Sequence, residues 1–169
     1  LAIAGLFLLS SASGLTMIFI FATLYGFGKT FFWPTTLGVV SEQCPKGGAL
    51  TLNAIAGIGM LAVGILGGPV IGKMAEDSVK ASIEEATDAE TYSSISNEST
   101  YFLGDYTAVD AGKIGDLAEE KQEVVKESIQ KGKQGSLASV AIFPVFMLIC
   151  YLALIFHFKS KGGYKPVEI

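Results

Sequence analysis

The chain has 169 residues, half of them hydrophobic and 20 of them glycine, and its mean hydropathy is +0.50. Twelve lysines stand against 16 acidic residues, for a net charge of −4, and there is no arginine. With no basic cluster between aromatic residues, the composition argues against a nucleic-acid partner. The two cysteines, Cys44 and Cys150, give neither a disulfide framework nor metal-ligand spacing. No cofactor is expected.

Apolar residues 1–9 come first and are too short to cross a bilayer. They have no basic start, so they do not resemble a signal peptide. We expect the end of a truncated transmembrane helix here. The chain would then be a C-terminal fragment of a longer polytopic protein, and the missing N-terminal helices would be its partners.

Three longer apolar segments follow, at residues 15–40, 49–72 and 136–158. A helix of about 20 apolar residues is long enough to span a bilayer. Helices of soluble proteins normally keep a polar stripe, which these segments lack. The sequence therefore predicts an all-α fold, a polytopic transmembrane helix bundle in contact with lipid.

Lys29 is the only lysine, arginine, histidine or acidic residue between Leu1 and Ser41, and it lies near the middle of the first long segment. A lysine at membrane depth costs ~2.5 kcal/mol or more, so it usually faces a cavity and has a partner. On a helix it shares one face with Tyr25, with Phe32 or Trp33, and with Thr36. Two interpretations stay open: an ion pair with a carboxylate on a missing helix, or contact with an anionic or hydroxylated solute.

Small residues recur along one face of the second long segment. This face comprises Gly57, Gly64, Gly68 and Gly72, and Asn53 extends it toward the start of the helix. In lipid, small side chains let two helices approach closely. Pro69 removes a backbone donor and is expected to bend the helix. The pattern predicts a close helix contact, which either packs the structure or slides during gating.

Residues 73–135 form an acidic insert with 14 of the 16 acidic residues. Segments 76–90 and 110–133 are rich in helix-forming residues, and the stretch 93–100 between them predicts a turn or linker. The second segment has a narrow apolar stripe, formed by Ile114, Leu117, Val124, Val125 and Ile129. We expect an inserted, solvated helical hairpin that does not fold alone.

The lysines of the short loops predict the orientation. Alternation places the 10–14 turn and the 73–135 insert on one side of the membrane, and the 41–48 loop and the 159–169 tail on the other. Short cytoplasmic loops are enriched in lysine. The second side holds Lys46, Lys159, Lys161 and Lys165. The prediction is an integral protein of the plasma or inner membrane, with a cytoplasmic C-terminus and an extracytoplasmic insert.

Two sequence stretches carry a resemblance to a known family. Glu42-Gln-Cys-Pro-Lys-Gly-Gly-Ala49 leads into a segment that ends in Gly64-Ile-Leu-Gly-Gly-Pro-Val-Ile-Gly72. With Trp33-Pro34 before them and Lys159-Ser-Lys-Gly-Gly163 after the last segment, they resemble major facilitator superfamily (MFS) transporters. Residues 1–73 and 136–166 would correspond to the end of helix nine and to helices ten, eleven and twelve. The family often has a short loop where this chain has its acidic insert.

The resemblance implies a role for each segment. Helix ten faces the central cavity in that family, which makes Lys29, Tyr25, Trp33 and Thr36 candidate solute-binding residues, and Asn53 is added to them. Helix eleven lies at the boundary between the two halves, which assigns its glycines and Pro69 to packing and gating. Helix twelve is peripheral. The implied function is secondary active transport of a small solute by alternating access.

Catalysis is not expected. The single histidine, His157, lies at the end of the last segment without a nucleophile, base and acid around it. A membrane-anchored receptor or assembly subunit that acts through its 73–135 segment is the alternative function. Further transmembrane segments upstream would favour the transporter, and their absence would favour the alternative.

Overall fold

A computed structural model describes residues 1–101 and 104–167 of the chain. The helices are α1 (Ala2–Ser10), α2 (Leu15–Thr30), α3 (Phe32–Gln43), α4 (Gly48–Ala62), α5 (Gly68–Ala86), α6 (Ala89–Ile95), α7 (Ala111–Ile114), α8 (Glu119–Val140) and α9 (Ile142–Ser160). One two-stranded sheet joins β1 (Ser96–Tyr101) to β2 (Gly104–Val109). The predicted all-α class is confirmed. Contacts divide the chain into a first unit, residues 1–65 and 141 onward, and a second unit, residues 66–140.

Three helical runs are long and apolar enough to cross a membrane, judged by length and composition. They are Leu15–Gln43, Pro45–Ala86 and Glu119–Ser160. The prediction of three membrane-length helices is therefore confirmed. The second run continues beyond Gly72 and the third begins before residue 136, so both helices extend into the acidic insert.

Prolines account for the breaks within the first and third runs. Pro34 has no N–H for the carbonyl of Thr30, which is the residue where α2 ends. Pro144 likewise has no N–H for the carbonyl of Val140, where α8 ends. Each helix restarts two residues later, so the two breaks have the same local cause.

The second run contains a wider turn in place of a break. Residues Val63–Gly67 form a π-helical turn between α4 and α5. Pro69 has no N–H for the carbonyl of Ile65, so the regular bonding pattern cannot pass through this turn. Single π turns within α-helices are commonly found at functional positions.

The first unit has its closest helix contact between α1 and α2. A Cβ atom on Gly5 would lie 2.7 Å from the Cα atom of Tyr25, and Gly28 lies as closely against the backbone of Ala2. Ala2 and Leu6 are buried in this contact. Glycine therefore permits a close approach here, at two positions that the sequence did not single out.

The second unit has a hydrophobic core of its own. Its buried members are Val79, Ile83, Tyr92, Ile95, Ile114 and Val125, with Val109, Leu117 and Ile129 packed against them. The prediction of a solvated hairpin without a core of its own is therefore wrong, because the apolar stripe of the insert packs against side chains of α5 and α6. Val124 is the exception and lies 37% exposed.

The stretch 93–100 is not the predicted turn or linker. It contains the end of α6 and most of β1, which pairs antiparallel with β2 from Ser96 opposite Val109. Both strands are too polar to show the apolar alternation of a half-buried strand. Contacts with residues distant in sequence stabilise the strands instead. The Val109 amide, for example, donates a 3.3 Å hydrogen bond to Oε2 of Glu76 on α5.

Asp88 caps the start of α6. Its carboxylate accepts a 2.6 Å hydrogen bond from the Thr91 amide, and Lys121 Nζ lies 3.7 Å away. The hydrogen bonds from Thr91 hold the pKa of Asp88 below its usual value. The cap therefore contributes stability above the ordinary carboxyl pKa, and this contribution is lost as the pH falls through the lower folded value.

Candidate functional site

Lys29 lies in the last turn of α2, with its side chain exposed. Its ammonium is 5.9 Å from the centre of the Tyr25 ring, one turn earlier on the same helix. This distance allows a cation–π interaction. Among the described residues, no carboxylate lies within the 4.0 Å that defines an ion pair with Lys29. The structure thus brings two predicted cavity residues together.

Thr36 makes polar contacts within α3 and with α9. Its hydroxyl lies 2.9 Å from the hydroxyl of Tyr151 and donates to the carbonyl of Phe32. Tyr151 also donates to that carbonyl, at 2.9 Å. Sequence reasoning missed Tyr151. The sequence contained one indication of its role, a tyrosine within an apolar segment. The O–H of a buried tyrosine usually has a hydrogen-bond partner.

We expect Tyr151→Phe to weaken the contact between α3 and α9. Hydrogen bonds between membrane helices are worth about 0.6 kcal/mol on average and about 1.7 kcal/mol at most. Unfolding in mixed detergent should show a loss of this size. The neighbouring exposed residue supplies a control, Cys150→Ala, which should unfold like the parent. Equal stability of Tyr151→Phe and the parent would contradict the assigned bonds.

Trp33 and Asn53 are the two remaining predicted cavity residues. The Trp33 ring packs against α4, where a Cβ atom on Gly59 would lie 3.0 Å from the ring carbon Cη2. Asn53 is exposed on the same helix. Two glycines of the predicted packing face, Gly57 and Gly64, are open, since a Cβ atom on either would meet no described atom within 4 Å. Their close contact with another helix stays a prediction.

The remaining residues of that face line a groove in the second unit. Gly68, Pro69 and Gly72 contribute one wall from α5, and β2 contributes the other with Tyr106 and Ala108. The cavity has a volume of about 660 Å³, within the range of ~300–1,000 Å³ found for ligand sites. Three predicted packing and gating residues thus line a groove that is large enough for a small ligand.

The C-terminal tail folds back on the end of α3. The Tyr164 hydroxyl donates to Glu42 Oε2 at 2.6 Å, and the Val167 amide donates to the Glu42 carbonyl at 2.9 Å. Gln43 Nε2 donates to the Lys165 carbonyl at 3.0 Å. These bonds join two segments separated by about 120 residues in sequence, as in the pair Tyr164 and Glu42.

The tail contact should respond to alkaline pH. The hydrogen bond to the Glu42 carboxylate raises the pKa of Tyr164 above 10.0, because that bond favours the neutral phenol. Because the pKa of Tyr164 is higher in the folded chain, the stabilisation by this hydrogen bond is complete below the pKa of the unfolded chain. It is lost as the pH rises through the pKa of the folded chain. We expect the 295 nm phenolate absorbance assigned to Tyr164, by difference from Tyr164→Phe, to appear above pH 10. Glu42→Gln should lower its midpoint, and an unchanged midpoint would refute the contact.

His157 and the cysteines form no cluster. His157 is exposed near the end of α9, with its ring 5.6 Å from that of Phe158. Cys44 and Cys150 are free and exposed. Within residues 1–101 and 104–167, no group of three or more His, Cys, Asp and Glu side chains is placed to hold a metal ion.

The site is therefore composed of separate parts. The pair of Lys29 and Tyr25 lies in the first unit, and the groove beside Gly68 and Gly72 lies in the second. No protein-family model, curated protein or solved structure matches this chain.

Proposed function

We propose that the chain is the C-terminal part of a secondary active transporter, which moves a small solute across a membrane by alternating access. The observation that carries the proposal is the position of Lys29. It is the fifteenth residue of the 29-residue run Leu15–Gln43, with fourteen residues on either side. At 1.5 Å per residue, each end of this run is ~21 Å away along the helix.

A lysine in this position needs a polar surrounding. Charged side chains within membrane helices are costly and usually face a bundle interior or a water-filled cavity. Tyr25 supplies an aromatic face but no opposite charge. In the proposal, the partner of Lys29 is an anionic or hydroxylated solute, or a carboxylate on another helix of the transporter.

The resemblance to MFS transporters supports the same function. Its stretches include the loop from Glu42 to Ala49 and the helix that ends in Gly72. The open faces of Gly57 and Gly64 leave room for a second helix, which the other half of such a transporter would supply. The tail would then lie in the cytoplasm, and the 73–135 insert outside the plasma or inner membrane.

Transport into proteoliposomes tests the proposal. The full-length protein should give saturable uptake of a labelled solute, together with exchange against the same solute trapped inside. Vesicles without protein provide the background. A screen should begin with small organic anions and sugars, because the ammonium of Lys29 donates hydrogen bonds to both classes. Flux that never saturates, or that equals the background across the screen, would contradict transport.

A second function is favoured by one specific observation. The insert has a buried core of its own, in which Ile83 and Val125 are completely buried. A folded module of this kind is more than a connection requires. The alternative proposal is therefore a membrane-anchored receptor or assembly subunit that acts through residues 73–135.

Replacing residues 78–133 by a short Gly/Ser linker distinguishes the two functions. The replaced segment contains the whole buried core, so no half of that core is left exposed. A transporter should still insert and should retain uptake within about twofold, because the membrane helices satisfy their own backbone hydrogen bonds. Membrane fractionation and uptake are the measurements. Retained uptake would favour the transporter, whereas loss of the inserted protein would show that the segment is a folding element or a partner site.

A further inference from the structure

The groove between α5 and β2 changes from apolar to charged along its length. On α5 it is lined by Gly68 and Pro69, then by Gly72 and Lys73, and finally by Glu76 and Asp77. These positions recur every three or four residues, so they share one helix face. Lys73 is the first charged residue after the apolar segment 49–72. The groove therefore crosses the boundary between the apolar and the charged part of one helix.

The apolar part of the groove has open space for a hydrocarbon chain. A Cβ atom on Gly68 or on Gly72 would meet no described atom within 4 Å. Val70 and Met74 contribute apolar side chains from α5, and Ala108 contributes one from β2. An acyl chain that moves from the bilayer into this groove exchanges lipid contacts for packing contacts with apolar side chains.

Tyr106 faces this groove from β2. Tyrosine is enriched where the hydrocarbon of a membrane meets water, because its ring is apolar and its hydroxyl is polar. Tyr106 is half-buried in the lining of a groove that also contains apolar and charged residues of α5. Along α5, the lining passes from apolar to charged residues, which is the order of groups along a phospholipid.

The charged part selects a headgroup. Lys73 and Asp77 are exposed, and Glu76 is half-buried and accepts a hydrogen bond from the Val109 amide. One ammonium group and two carboxylates complement a headgroup with a phosphate and an amine. A headgroup with only a negative charge would meet two carboxylates and a single lysine, which is an unfavourable match.

We propose that this groove binds one bilayer phospholipid with an ethanolamine headgroup. Its acyl chain lies along Gly68 and Gly72, its phosphate pairs with Lys73, and its ammonium donates hydrogen bonds to Glu76 and Asp77. This lipid is distinct from the transported solute, and its binding does not depend on transport.

Lipid retention tests the proposal without a transport assay. The full-length protein is reconstituted in vesicles of equal parts phosphatidylethanolamine and phosphatidylglycerol, re-extracted in mild detergent, and its bound lipid is measured by mass spectrometry. We expect about one phosphatidylethanolamine per chain and little phosphatidylglycerol. Gly72→Leu, whose side chain fills the groove, should reduce this retention roughly tenfold.

Two further variants make the result specific. Gly135→Leu adds the same side chain at an open position outside the groove and should retain the lipid like the parent. Asp77→Asn keeps the shape of the groove and should lower the preference for phosphatidylethanolamine, even where Gly72→Leu folds poorly. Equal retention of both lipids by the parent would overturn the proposal. So would equal losses in Gly135→Leu and Gly72→Leu, or an unchanged preference in Asp77→Asn.

Discussion

Replacing Lys29 by alanine should abolish solute uptake and leave the protein inserted in the membrane. If the ammonium binds the solute, its removal takes away the one charge in the middle of the Leu15–Gln43 run. Lys29→Arg should keep part of the activity if charge is what the solute requires, although the guanidinium differs in shape. Uptake into proteoliposomes and a thermal melt of the same preparations are the measurements.

A structural ion pair predicts a different result for the same variant. Removing one partner of a buried pair leaves an unpaired charge and typically costs about 3–5 kcal/mol. Lys29→Ala would then express poorly and melt early, and neutralising the partner carboxylate would restore it. The adjacent Thr30→Ala is a matched control, since within the described residues the Thr30 hydroxyl bonds the carbonyl of Gly26 in its own helix. A Lys29→Ala protein that transports and melts like the parent would contradict both roles.

The membrane-length helices were predictable because their causes are local. Length and composition define an apolar run, and no distant residue is needed to recognise one. The break after Thr30 is equally local, because Pro34 lacks the required N–H. The pairing of Lys29 with Tyr25 follows from their separation of four residues on one helix.

The core of the second unit was not predictable in the same way. The stripe that contains Val125 was visible in the sequence, but its complement comes from Val79 and Ile83, some 40 residues earlier. The polar sequences of strands β1 and β2 have no periodicity that predicts their pairing. The tail contact of Tyr164 with Glu42 has no local signal either, because both residues are exposed and distant in sequence.

The spacing of glycines likewise did not predict which helices approach each other. The regular positions Gly64 and Gly68 predict a shared helix face, but spacing does not identify the neighbour of that face. In the described chain both positions are open. The closest helix contacts occur instead at Gly28 of α2 and at Gly132 of α8. Whether a glycine is needed depends on the backbone opposite it.

Gly132→Ala should destabilise the second unit by about 1–3 kcal/mol, the usual cost of overpacking. The added Cβ would lie 2.5 Å from the Cα atom of Val79 and 2.9 Å from the Ser78 carbonyl oxygen. Both are backbone atoms, so α5 and α8 have to move apart to make room. Val125 and Val79, whose side chains are both fully buried, would lose packing contacts as a result.

Gly135→Ala provides the control within the same helix. A Cβ at Gly135 meets no described atom within 4 Å, so only the backbone effect of the substitution remains. Alanine is favoured over glycine in a helix by about 0.5–1 kcal/mol. Chemical unfolding of the full-length protein should therefore move in opposite directions for the two variants. If Gly132→Ala were as stable as Gly135→Ala, α5 and α8 would not approach each other through Gly132, and the core assigned to this unit would have to be abandoned.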